Sequence, residues 1–115
     1  MITVYGITNC STVIKARKWL ELNLIEYEFW DYKKQGIDTD HLIKWCEELG
    51  WEKVLNRSGM MYRKASQEEK SKIIDQQSAI EFMLKVPTSI KRPIIETKKG
   101  LLLSFNELEY IDNLL

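Results

Sequence analysis

Residues 1–12 read MITVYGITNCST, and residues 26–32 read EYEFWDY. In the first stretch Ile2 and Val4 alternate with Thr3 and Tyr5, the period of two that marks a strand, and the alternation breaks at Gly6. A helix is expected directly after Cys10, over about 11–23, with Ile14, Ala16, Trp19, Leu20 and Leu24 on its buried face and Asn23 closing it. The second stretch alternates again and predicts a strand near 26–31. A strand, a helix and a strand so closely spaced predict a right-handed βαβ unit with parallel strands.

The junction at Cys10 also carries chemistry. A thiol at a helix N-terminus faces unpaired backbone N–H groups and the positive end of the helix dipole. Both favour the thiolate, which is the nucleophilic form of cysteine. The polar neighbours Asn9, Ser11 and Thr12 suit such a site: Asn9 through its amide, Ser11 and Thr12 through their backbone N–H groups and the Thr12 hydroxyl. Lys15 follows Ser11 by one helical turn, near enough to add to the local potential.

Further along, Asp38 is a plausible N-cap for a helix over about 39–49 that ends at Gly50. A shorter helix near 51–55 leads into the polar loop Asn56-Arg57-Ser58-Gly59. Residues 66–72 and 76–85 read as helical, the first capped by Ser66 with Glu69 three positions on, and Pro87 stops the second. After Arg92-Pro93, Ile94 and Ile95 begin a strand, Lys98-Lys99-Gly100 turns, and Leu101–Phe105 returns as a hairpin. Asn106 and Glu109 form the box of a final helix. The order βαβ, several helices, ββα, with a cysteine after strand 1 and a proline opening strand 3, is the thioredoxin arrangement. A proline in that place is expected to be cis and to face the cysteine. The fold class is therefore α/β, thioredoxin-like. We expect a single domain over residues 1–115, with a helical insertion over about 36–88 between the βαβ and ββα halves.

Composition narrows the function classes. At 115 residues the chain suits one domain with one core. Lys+Arg and Asp+Glu balance at 17 each, so no global field points to direct nucleic-acid or anionic-membrane binding. Apolar runs such as Leu101–Leu103 are far too short to span a bilayer, and the N-terminus has no secretory pattern. Two cysteines without framework spacing suggest a reducing cytoplasm, and with one histidine they supply no metal cluster.

Several segments resemble the arsenate-reductase-like (ArsC) family. Tyr5-Gly6-Ile7-Thr8-Asn9-Cys10-Ser11-Thr12 and Lys15-Ala16-Arg17-Lys18-Trp19-Leu20 match its opening. Asp31-Tyr32-Lys33, Leu49-Gly50-Trp51, Leu55-Asn56-Arg57-Ser58-Gly59 and Ile90-Lys91-Arg92-Pro93-Ile94-Ile95 continue the likeness along the whole chain. It is nearest the YffB-type branch, which is related to Spx- and MgsR-type regulators. The resemblance implies thiol redox chemistry with glutathione as co-substrate, glutathione or a glutaredoxin as partner, and no bound cofactor or metal. It implies Cys10 as the nucleophile and Arg92, before Pro93, as a holder of an anionic group. Arg57 lies in the loop that supplies a second arginine, with Asn56 as the neighbouring register. In this fold the residue before that proline also presents its main chain to a thiol partner, a short β-augmentation with glutathione.

Two departures shape the expectation. The place of a third anion-binding arginine, counted from Arg92-Pro93 through Gly100, falls on Phe105, which counts against arsenate as substrate. Spx-type regulators carry a C-x-x-C pair, whereas the fourth position here is Val13, so Cys10 has no adjacent resolving thiol. Cys46, mid-helix beside Trp45, reads as a core residue. His41 reads as a surface residue, and Trp19, Trp30, Trp45 and Trp51 as core. Arg63 and Lys64 are weaker candidates for glutathione carboxylates, and Met60-Met61 for a pocket lining. The expected function is a glutathione-linked thiol oxidoreductase with one N-terminal nucleophilic cysteine. The alternative is a Spx-like regulator that binds RNA polymerase.

Overall fold

The computed structural model describes all 115 residues. In chain order the elements are β1 (Ile2–Gly6), α1 (Ser11–Leu22), β2 (Tyr27–Asp31), α2 (Tyr32–Gln35), α3 (Thr39–Leu49), α4 (Trp51–Val54), α5 (Met60–Lys64), α6 (Gln67–Lys72), α7 (Gln76–Lys85), a 3-10 turn (Pro87–Ser89), β3 (Ile94–Thr97), β4 (Gly100–Leu103) and α8 (Glu107–Leu114). They fall into two compact units, residues 1–35 with 92–115, and residues 36–91. No helix is long and apolar enough to cross a membrane.

The first unit holds a four-stranded sheet in the order β2-β1-β3-β4. β1 runs parallel to β2 and antiparallel to β3, and β3 runs antiparallel to β4. This is the thioredoxin-like arrangement expected from the element order. Register places Val4 opposite Phe29 on one side and Ile95 on the other. Val4, Ile95 and Leu102 form a core with Ala16 and Leu20 of α1 and Tyr110 of α8. Because successive strand residues face opposite ways, Tyr5 and Ile94 are buried on the other face.

The end of α1 differs from its sequence reading. Asn23 is the C-cap, but the closing turn is a Schellman motif with Leu24 in the left-handed region at φ 56. Ile25 N–H donates to the Leu20 carbonyl at 2.9 Å, and Leu24 N–H to that of Glu21 at 3.1 Å. That geometry swings Leu24 outward, leaving it 90% exposed, and Ile14 is 47% exposed. Neither belongs to the buried face, which is Val13, Ala16 and Leu20. Two short helices escape the periodicity because each is about one turn long. α2 follows β2 without a loop because the Asp31 carboxylate accepts from the Lys33 and Lys34 N–H groups. α5 begins right after the Asn56–Gly59 loop.

The second unit follows its caps. Asp38 accepts from His41 N–H at 2.9 Å at the head of α3, and Ser66 from Glu69 N–H at 3.1 Å at the head of α6. α7 opens on a reciprocal box between Asp75 and Ser78. Pro87 stands at the first position of the 3-10 turn that follows α7, where its missing N–H costs nothing. Leu42, Trp45 and Cys46 of α3 and Ala79, Ile80, Phe82 and Met83 of α7 are buried. His41 is half-buried, its ring edge-on to Trp45 at 5.7 Å and its Nδ1 2.7 Å from the Asp38 carboxylate.

Candidate functional site

The site is assembled where β1 hands over to α1. Gly6 ends the strand against Val13 so closely that a Cβ there would lie 2.9 Å from Val13 Cγ2. The chain then turns through exposed Thr8 and Asn9 and enters the helix at Cys10, the N-cap residue in extended conformation. Cys10 is half-buried. Its thiol makes no full capping hydrogen bond, yet the helix-terminal amides are directed at the sulfur. Burial pushes the Cys10 pKa up, but the Val13 and Thr12 N–H groups and the Arg92 guanidinium outweigh it and hold the pKa below the ordinary cysteine value.

Arg92 arrives from the segment before β3, and the Arg92–Pro93 peptide bond is cis. Its guanidinium hydrogen-bonds the Cys10 sulfur and adds a favourable charge. The same cation acts on Tyr32, a fully buried phenol whose pKa burial raises well above the ordinary range while Arg92 opposes the rise. Tyr32 therefore stays protonated beside a cation shared with the thiol. Nothing in hydrophobic periodicity marks Tyr32 or the Val13 amide as part of this cluster.

Of the remaining candidates, Thr12 contributes its amide, while Ser11 and Asn9 are exposed around the turn. Lys15 is exposed, its ammonium lying over the Phe105 ring at 5.7 Å from the centroid. Pro93 is buried at the foot of β3, and its carbonyl accepts from Ser104 N–H at 2.8 Å. Arg57, in the second unit, is exposed and stacks over Trp51 at 5.6 Å. Its neighbour Asn56 is taken up by the loop itself: Ser58 Oγ donates to its Oδ1 at 3.1 Å, and a Cβ on Gly59 would lie 2.5 Å from its Nδ2. Arg57 is thus the more exposed of the two side chains. Arg63 and Lys64 are exposed in the last turn of α5, where Met60 and Met61 are exposed as well.

Cys46 contrasts with Cys10. It is 2% exposed, and burial alone pushes its thiol up to about 11. Neither cysteine is in a disulfide. Brief native-state alkylation at neutral pH is therefore expected to label Cys10 and spare Cys46, with both labelled after denaturation, as read by peptide mass spectrometry. Equal labelling of the two in the folded protein would contradict this electrostatic contrast.

Comparison with known proteins identifies the family. The profile of the ArsC family matches residues 5–113. A solved YffB protein is 43% identical, with each chain covered over 100% of its length and a TM-score of 0.96. An arsenate reductase (ArsC) related protein from Brucella melitensis is 41% identical, covering 96% of this chain and 92% of the other, with a TM-score of 0.76. The global transcriptional regulator Spx of Listeria innocua is 28% identical over 111 residues, covering 95% of this chain and 83% of its own. With a family match running from Tyr5 in β1 through β4 and into α8, the chain belongs to the ArsC family.

Proposed function

We propose that this protein is a glutathione-linked thiol oxidoreductase whose single nucleophile is Cys10. The observation that carries the reading is the lowered thiol at the α1 N-terminus, held between two backbone amides and the Arg92 guanidinium. In the reaction the Cys10 thiolate attacks one sulfur of glutathione disulfide. A Cys10–glutathione bond forms, the glutathione S–S bond breaks, and the departing glutathione thiolate takes a proton from water. A second thiolate, from a glutaredoxin, then attacks the glutathione sulfur of the adduct; a glutaredoxin–glutathione disulfide forms, the Cys10–glutathione bond breaks, and Cys10 is released as thiolate. The two amides and Arg92 stabilise the sulfur anion at both ends of the cycle.

In this reading Arg92 is the anion holder beside Cys10, and Arg57 of the second unit is carried as a further anion holder only on the family resemblance. Asn9, Ser11, Thr12, Lys15 and Pro93 border the glutathione position. Val13 is fully buried against Gly6, so the second position of a C-x-x-C pair is hydrocarbon and the resolving thiol comes from outside. Phe105 in the place of a third arginine argues against arsenate, a compact dianion that calls for charge-assisted contacts.

Incubation with oxidised glutathione should give one adduct of one glutathione per chain, mapped to Cys10 by mass spectrometry. An unmodified Cys10 would reject the reading. Removing the cation supplies a sharper check. In Arg92→Leu the sulfur keeps its amides but loses its guanidinium, so the midpoint of the alkylation rate against pH moves upward. An unmoved midpoint would remove Arg92 from the site.

The likeness to Spx favours one second reading, a protein that binds RNA polymerase without turnover. Co-purification with polymerase from cells, in a protein inert towards disulfides, would support it over the first.

A further inference from the structure

α1 carries a second outward face. Along it runs an open groove of about 380 Å³ lined by Lys15, Lys18, Trp19, Leu22, Phe105 and Glu107. Its floor is aromatic: Trp19 and Phe105 each meet Tyr110 edge-on, at 5.4 and 5.0 Å between centroids. Glu107 is committed to that floor, its carboxylate accepting from the Trp19 indole N–H at 3.0 Å. With Lys15 and Lys18 against the one Glu107 carboxylate, the lining carries a net positive charge. Leu22, at the far end, is 82% exposed.

The groove lies along the helix that Cys10 caps. Phe105 follows Ser104, whose N–H donates to the carbonyl of Pro93, the residue after Arg92. Lys15 and Leu22 lie about 7 and 18 Å along α1 from its Cys10 end at the rise of a helix. An extended peptide advances about 3.3 Å per residue, so it spans that distance with residues roughly two to five positions from its own cysteine.

We propose that this groove receives the polypeptide flanking a disulfide-bonded cysteine of a partner protein, and that it selects segments joining an apolar side chain to a carboxylate. The inference rests on Cys10 as nucleophile and names the substrate class: protein or peptide disulfides. The apolar side chain covers Trp19 and Phe105, and the carboxylate meets Lys15 and Lys18 on the rim. Phe105 gives an apolar contact where a cation would have suited a small oxyanion. In the reaction the Cys10 thiolate attacks the partner's cysteine sulfur. A Cys10–partner disulfide forms, the partner's original S–S bond breaks, and the thiolate released from it is protonated by water. No other oxidant is consumed, because the partner's disulfide supplies it.

The test uses the full chain and two peptides of equal length, each with a central cysteine in mixed disulfide with thionitrobenzoate. One carries leucine and glutamate three and four residues from the cysteine; the other carries serine and lysine there. Release of thionitrobenzoate gives a rate for each. The acidic, apolar peptide should react roughly tenfold faster at low salt. The preference should fall in high salt and invert in Lys18→Glu. Each ratio is taken on one protein preparation, so loss of folded material cancels. Equal rates for the two peptides would overturn the groove assignment and leave Cys10 chemistry standing. No reaction with either peptide or with glutathione disulfide would overturn both. A dimer in sedimentation that Lys18→Glu dissociates would assign the groove to a second copy of the chain, and that too would overturn the proposal.

Discussion

Replacing Cys10 by serine should abolish disulfide exchange while leaving the fold as stable as before, or more so. The two effects come from the same position and point in opposite directions. Cys10 is the N-cap of α1 and makes no full capping hydrogen bond. A serine hydroxyl is among the better N-caps, accepting from an amide in the first turn, and such a cap contributes about 0.5–2 kcal/mol relative to a side chain that cannot. The hydroxyl is not ionised at neutral pH, so the attack on a disulfide sulfur is lost. The rate of adduct formation should drop by on the order of 10³-fold or more. The melting temperature should hold or rise. A variant that lost stability along with activity would mean that Cys10 is a packing residue. This exchange of stability for reactivity is common where a functional group stands in a place another residue would fill better.

Gly6→Ala has the next largest expected effect, and its sign is the informative part. Glycine in a strand loses more conformational freedom on folding than alanine, which by itself would make the substitution stabilising by about 0.5–1 kcal/mol. Gly6, however, faces Val13, fully buried, with Cγ2 2.9 Å from where the new methyl would lie. Valine is stiff at χ1 and cannot swing aside within a packed core. The helix must give way, so overpacking should turn the gain into a loss of about 1–3 kcal/mol. The shift falls on the first turn of α1, so Cys10 alkylation at neutral pH should slow as its amides move. Pairing Gly6→Ala with Val13→Ala removes the clash. The double variant should be more stable than the sum of the singles by about 1 kcal/mol or more, as read from denaturant unfolding. Additive effects would show that Gly6 and Val13 are not in contact in the way described.

How much of this was legible in the sequence depends on what each feature rests on. The strand at Ile2–Gly6, α3, α6, α7 and α8 are marked by side chains that act locally: alternation, or a capping carboxylate, hydroxyl or amide a few residues from the amide it satisfies. The thiol at the strand–helix junction was legible for the same reason. Leu24 and Ile14 are not legible in this way: apolar identity does not say where a Schellman turn points a side chain, nor does it separate the exposed Ile14 from the buried Val13 beside it. Neither α2 nor α5 is long enough to show a period of 3.6. The link between Arg92 and Cys10 is beyond local reading, since only β3 pairing with β1 brings residue 92 back to residue 10. The same holds for Tyr32 beside Arg92.

The most direct measurement is the titration of the Cys10 thiol, taken as the difference in ultraviolet thiolate absorbance between the wild-type protein and Cys10→Ser. Cys46 cancels in that difference. The midpoint should lie below that of the same cysteine in the denatured chain, because the Val13 and Thr12 amides and Arg92 outweigh its burial. A midpoint at or above the denatured value would contradict the assignment of Cys10 as an activated nucleophile.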